Sequence, residues 1–453
     1  MNRIVGTAAP WLLSCSLLAL MSAGAQAQQV PVGAAPAAGA SPASGAVPPG
    51  QAAPANEPKP GAEAKAANAA PTSWADGIKV NLQFEGGAII NPANPDNGLN
   101  FGQLFTDRAN QFVMNQALFT VQRPIDPKST DFDIGFKFQA LYGTDARYTS
   151  FMGELNHTFA SKYQLSFIEA NLAAHMPIIV PGGVDVKIGQ WATPLGYETI
   201  DPSTNPFYSH SYIFNFGLPL VQTGILSVTH ATSNIDVYLG IDTGVNTTFG
   251  AGDNNSAVAG TAGFGLTFLD GKLTVLALSH FGPENPSRTV PNADSFYRYL
   301  NDIVVTYKAS DTLSFTTELN LIRDDFGTGH GAANGYGVAQ YVSYTLNDNV
   351  ALNARAEIFR DDNGFFVAGF RGYRDFYNLE YGNPAPGVVG VGPATYSEVT
   401  LGLTYKPTLP APISGLMIRP EVRYDYALTN TKAYNNGADR GVFTFGTDFV
   451  LSF

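Results

Sequence analysis

The chain has 453 residues, of which 45% are hydrophobic and only 14% charged, with 47 glycines and 12% aromatics. Its net charge is −12 and it has no Lys/Arg cluster, which excludes nucleic acid as a partner because nothing is there to neutralise phosphates. Its single cysteine is Cys15, so a mature chain lacking the first 27 residues has no disulfide, no cysteine nucleophile and no cysteine metal site.

The chain opens with Arg3, an apolar run from Trp11 to Met21, and the small-x-small sequence Ala25-Gln26-Ala27. This is the pattern of a signal peptide over residues 1–27, cleaved to leave Gln28 first. The apolar run is too short to anchor, since a spanning helix needs about 20 residues. Cys15 lies inside that run rather than after it, which argues against a lipoprotein site. Residues 28–77 are dominated by Ala, Pro and Gly as far as Pro71. They lack the large side chains that would offset chain entropy, and a disordered periplasmic tether or spacer is expected there.

From residue 78 onward the pattern changes to strict alternation. Ile78, Val80, Leu82 and Phe84 oppose Lys79, Asn81 and Gln83. Phe132, Ile134, Phe136 and Phe138 oppose Asp133 and Lys137; Ile235, Val237, Leu239 and Ile241 oppose Asp236 and Asp242. The same period returns at Leu313–Leu321, at Val399–Tyr405, and at Ile418–Tyr426 against Arg419, Glu421, Arg423 and Asp425. A period of two is a strand with two different faces. No run of about 18 apolar residues follows the signal, so spanning helices are not expected.

Sixteen such segments can be counted between residues 78 and 453, those at 112–123 and 335–346 alternating poorly. Short connections (Pro124–Thr130, Ala231–Asn234, Leu269–Gly271, Ala309–Asp311, Asn347–Asn349) alternate with long ones (Asn91–Gln111, Gly143–Lys162, Ala192–Leu220, Pro283–Arg298, Asp361–Tyr396). Soluble sandwiches also alternate, but short turns at one end and long loops at the other mark a barrel in an outer membrane. The final segment, VFTFGTDFVLSF, puts Phe443, Phe445, Phe449, Leu451 and the terminal Phe453 on one face. Phe449, Leu451 and Phe453 are similar to the assembly signal of outer-membrane barrels. The reading is all-β: a transmembrane antiparallel up-and-down β-barrel of about sixteen strands (14 to 18) over 78–453, with short periplasmic turns and long extracellular loops. Its expected partners are outer-membrane lipid and lipopolysaccharide, the barrel-assembly machinery and small polar solutes, with a homo-oligomer left open.

Residues 185–224 contain Pro194-Leu195-Gly196, Glu198, Ile200-Asp201-Pro202, Asn205 and Thr223-Gly224. With Asp361-Asp362-Asn363-Gly364 and the run Arg419 to Asp425, this resembles the OmpL-like family of β-barrel porins of Gram-negative bacteria. The resemblance covers most of 80–453 and implies an outer-membrane channel. It implies no particular solute, and the Ala/Pro segment lies outside it.

By parity Lys79, Glu85, Asp133, Lys137, Lys187, Glu318, Arg355, Glu357, Arg419, Glu421 and Arg423 face inward and are expected to line a water-filled pore for passive diffusion. Interleaved signs would set a transverse field, or pair across strands and brace the wall. Glu169 shares parity with Leu165 and Phe167 and is expected outside. The third outer loop, Ala192–Leu220, is expected to narrow the lumen, with carboxylates at Glu198 and Asp201 and an aromatic strip of Tyr197, Phe207, Tyr208 and Tyr212. Asp361–Gly364 and Asp253–Asn255 lack the spacing of a calcium loop and read as turns. The six histidines sit in no hydrolase or metalloprotease motif. No catalytic residue, metal or cofactor is expected. The rival readings are a structural or adhesive barrel whose lumen is plugged by apolar or paired residues, and an outer-membrane hydrolase.

Overall fold

The computed structural model describes residues 73–155, 161–327 and 331–453. The signal peptide, the Ala/Pro-rich stretch up to residue 72, His157 and His330 lie outside the described residues. The strands run β1 (Lys79–Ile90), β2 (Gln111–Arg123), β3 (Asp133–Gly143), β4 (Gln164–Met176), β5 (Val184–Ala192), β6 (Val221–Thr232) and β7 (Ile235–Asp242). They continue with β8 (Ala259–Phe268), β9 (Leu273–Pro283), β10 (Tyr297–Lys308), β11 (Leu313–Asp325), β12 (Ala332–Asn347) and β13 (Val350–Asp361). After a small separate pair, β14 (Gly369–Phe370) and β15 (Val388–Val389), come β16 (Ala394–Tyr405), β17 (Gly415–Ile418), β18 (Glu421–Ala427) and β19 (Gly441–Ser452).

Each large strand pairs antiparallel with its neighbours in the chain, and β19 closes on β1 with Gly86 opposite Phe449 and Ile90 opposite Phe445. β17 and β18 are two halves of one barrel strand, both paired with β19 and interrupted at Arg419-Pro420, where proline has no N–H to give a ladder. The closed barrel therefore has sixteen strands among the described residues, and closure leaves no open edge. Two short helices, α1 (Ala146–Thr149) and α2 (Asp375–Glu380), sit in the second and seventh long loops.

The faces follow the sequence alternation. On β19 Phe443, Phe445 and Phe449 are exposed on the outside, while Thr444, Asp448 and Val450 are buried inside. Leu239 is 58% exposed on the outer face of β7, and its neighbour Asp236 is 4% exposed inside. An apolar outer belt and a polar inner face suit strands set in lipid. Register slips break parity locally, as at Asn115 in β2, where Asn115 and Gln116 are both buried, and one of them concerns a charge. The pairing of β3 with β4 slips between Gln139 and Ala140, which face Glu169 and Phe167. This bulge at Ile168 turns Glu169 inward, where it is buried and pairs with Lys137 at 3.3 Å, correcting the expectation that it points outward.

The largest apolar core lies inside the barrel. Phe101, Leu104 and Phe105 of the first long loop meet Tyr148 and Phe151 of the second, Phe207, Tyr212 and Phe214 of the third, Phe370 of the seventh and Tyr434 of the eighth. All are at most 5% exposed. Arg147 and Tyr148 fasten this packing by reaching Asp107, at 2.8 and 2.9 Å. The outer half of the lumen is thus filled by loop side chains. Below it, between the third loop and the periplasmic turns, lies a cavity of about 2200 Å³.

Candidate functional site

The third loop (193–220) crosses the lumen with a π-helical turn at Ile213–Gly217 and no other regular structure beyond a turn at Pro202–Thr204. Its backbone N–H and C=O groups are buried without a ladder, and such groups need partners. The wall supplies them. Glu421 accepts the N–H groups of Tyr208 and Ser209 at 2.9 and 3.2 Å. Glu357 accepts those of Tyr212 and Ile213 at 2.6 and 2.8 Å. Glu318 accepts that of Tyr197 at 3.1 Å.

The guanidinium groups take the carbonyls. Arg355 donates to Ser209 O at 2.8 Å and Arg423 to His210 O at 2.6 Å. Arg419 donates to Pro202 O and Asn205 O, each at 2.8 Å. Carboxylates hold each cation: Arg355 lies 2.6 Å from both Glu198 and Glu398, Arg423 2.7 Å from Asp425, and Arg419 3.1 Å from Glu85 and beside Asp448. Planar guanidinium forks suit such multiple contacts.

Seven of the eleven expected wall charges are therefore inward but covered. Glu85, Glu318, Arg355, Glu357, Arg419, Glu421 and Arg423 are each at most 5% exposed beneath the third loop. The other four are apart from this lattice. Lys137 and Lys187 border the cavity, Asp133 pairs with Arg123 at 2.7 Å, and Lys79 is exposed at the periplasmic start of β1. Sequence reasoning left out Glu398, Asp425 and Asp448; their only signal was inward parity on strands already identified.

Within the loop, burial alone would raise the Glu198 carboxyl, but Arg355 and a hydrogen bond from His210 outweigh it and hold it at about 2. Burial keeps the His210 imidazole below its ordinary range, and its ring stacks on Phe214 at 4.0 Å. Asp201 accepts from Gln83 of β1 and caps Ser203, both at 3.0 Å. Tyr197, Phe207, Tyr208 and Tyr212 are at most 6% exposed; Tyr197, Phe207 and Tyr212 pack in the core, Tyr208 donates to Asn115, and of the four Tyr197 borders the cavity. The surface that faces the cavity from the loop includes the half-buried Thr193, Thr199, Ser203 and Thr204.

The two candidate calcium segments are occupied by backbone donors. Asp361 accepts five N–H groups, from Asn363 through Val367, at 2.8 to 3.3 Å. Asp253 accepts those of Asn255 and Ser256.

A family model described as "Putative beta-barrel porin-2, OmpL-like" matches residues 77–453. Among solved structures, the outer membrane channel DcaP of Acinetobacter baumannii is 13% identical, with 83% of this chain and 97% of that chain covered and a TM-score of 0.48. The anion-selective porin of Comamonas acidovorans is 9% identical, with 83% and 99% covered and a TM-score of 0.49. OprB of Pseudomonas putida is 13% identical, with 84% and 95% covered and a TM-score of 0.46. No curated protein matches the chain.

Proposed function

The chain belongs to the OmpL-like beta-barrel porin-2 family of outer-membrane barrels, and on that premise we propose that it passes small hydrophilic solutes by diffusion, with residues 193–220 as the constriction. The observation that carries this reading is the cavity of about 2200 Å³ bounded above by that loop and below by the periplasmic turns. A vestibule ending at a loop inside a closed barrel is the layout of a pore whose width is set by the loop. The mature chain begins near Gln28, and lipid and lipopolysaccharide surround its apolar belt. The barrel-assembly machinery reads Phe449, Leu451 and Phe453, and copies of the chain associate through the belt.

The reading is of a channel without catalysis. Each of the four described histidines lies beside a carboxylate: His175 with Asp185, His210 with Glu198, His230 with Asp236 and His280 with Asp242. In His175 the other ring nitrogen meets the Ser129 carbonyl, not a hydroxyl nucleophile.

A barrel with a closed lumen is the second reading, favoured by the apolar packing of the outer half. Single-channel recording of the purified mature protein in a planar bilayer separates the two. Discrete, ohmic conductance steps are expected. A protein that inserts and passes no current would leave the closed barrel standing.

A further inference from the structure

The cavity wall on β4 to β9 differs from the rest of the inner face. Lys187 on β5 borders the cavity, is half-buried and forms no ion pair or hydrogen bond with any described residue; it acts on Glu169 through space only. Two further donors border the same cavity unpartnered: the Trp191 Nε1 and the Tyr238 hydroxyl, each on a side chain 1% exposed. The neighbouring carboxylates are already satisfied. Glu169 holds Lys137 and Asn171, Asp185 holds His175 and His230, and Asp201 holds Gln83 and Ser203. On the β6 side the wall between the donors is apolar, with Leu226 directly across from Lys187 and Leu276 beyond it, while on the β4 side Asn171 stands across from Gly189 with Glu169 next to it.

The carboxylates on this wall are met and the Lys187 ammonium is not, so the wall offers a solute an unengaged positive donor and no unengaged negative group. Such an ammonium calls for negative charge, and the leucines call for an apolar body. Lys187 and Trp191 stand four residues apart on one face of β5, about 13 Å at the rise of a strand, a span that a lysine stem and one aromatic ring together fill.

We propose that this wall is a docking station for a small monocarboxylate with an aromatic body, its carboxylate on Lys187 and its ring against Trp191 and Leu226. This rests on the channel reading and names the class of solute that the channel retains.

The test uses the purified mature barrel in detergent and 3-phenylpropanoate as probe, with its uncharged amide and ring-less propanoate as controls. Binding is read by calorimetry and by the fluorescence of Trp191. Saturable binding of 3-phenylpropanoate is expected, with the amide at least about tenfold weaker, the worth of one charge-assisted contact, and propanoate at least about tenfold weaker for the loss of the ring's apolar burial. Lys187→Gln should weaken it by a similar factor and Lys187→Arg by less than about threefold. Equal affinity for the acid and its amide in the unaltered protein would overturn the proposal, whether or not the variants fold. So would undiminished binding in a folded Lys187→Gln barrel. Bilayer recordings on the same preparation keep the two readings apart. Conductance without binding removes the docking station and leaves the channel. Binding without conductance supports the station and removes the channel.

Discussion

Arg355 is the residue whose loss should cost the barrel most. Its guanidinium is 1% exposed and meets two carboxylates, Glu198 and Glu398, both at 2.6 Å, and the Ser209 carbonyl at 2.8 Å. Its plane also lies 5.0 Å from the Phe207 ring centre. Each ion contact is worth about 4 kcal/mol at an effective dielectric near 20, but burying each ion costs several kcal/mol. The net price of Arg355→Met is two buried carboxylates stripped of their closest cation, Glu198 keeping His210 and the Ser211 N–H and Glu398 keeping Thr400 with Arg423 at 3.9 Å, about 3 to 5 kcal/mol. Urea unfolding in lipid vesicles reads this directly, since Trp74 and Trp191 are the only tryptophans among the described residues and Trp191 stands beside the loop. Adding Glu198→Gln and Glu398→Gln to Arg355→Met should restore much of the loss, because the uncompensated charges are then gone. A single variant within about 1 kcal/mol of the parent would refute the view that this lattice fastens the loop.

Leu239→Arg near the bilayer midplane should cost about 2 to 4 kcal/mol, and Leu239→Cys should resist a water-soluble thiol reagent that labels Lys137→Cys; the reverse labelling would mean the faces are exchanged. Asp236→Cys should label slowly although it faces inward, because that position is buried beside His230. Removal of residues 207–216, which centre the apolar packing, should raise single-channel conductance in a barrel that retains its heat-modifiable mobility; unchanged conductance would place the loop outside the path. Burial raises the carboxyls of Glu284 to about 7 and of Glu380 to about 8 in the outer loops. Both remain protonated when folded while their unfolded forms ionise, so stability falls as pH rises from about 4.5 to about 8. The thermal midpoint should fall across that window by less in Glu284→Gln with Glu380→Gln than in the parent, and equal slopes would sink the assignment.

The barrel was legible because its strands carry opposite chemistry on alternating residues, and lipid and lumen both enforce it. The weak alternation over 335–346 has a physical cause. The inward positions of β12 include Gly335, Gly337 and Ala339, and a Cβ at Gly337 would lie 2.5 Å from the Ile213 side chain. That face carries a loop, not water, so it is small where a wetted face would be polar. Glu169 misled for a different reason. Its inward turn depends on one bulged residue, Ile168, and no turn residue or proline marks the bulge.

The wall charges were found by parity, but their role was not legible in it. A row of alternating acids and bases reads equally as a field across water or as a brace, because parity fixes the face and says nothing of what lies against it. What decides is the third loop. Residues 205–212 cross a barrel interior without helix or ladder, so their N–H and C=O groups must find partners in side chains. Carboxylates answer the first kind of group and guanidinium the second, and both kinds are needed along one irregular stretch. The interleaving of Glu357 with Arg355, and of Glu421 with Arg419 and Arg423, is therefore what a loop held by its backbone requires. It follows that the loop's position rests strongly on the strands opposite, which hold its backbone, with the His210 side chain adding a contact of its own to Glu198. Specificity for a solute must then be sought on the wall the loop does not touch with charges, where Lys187 remains unpaired.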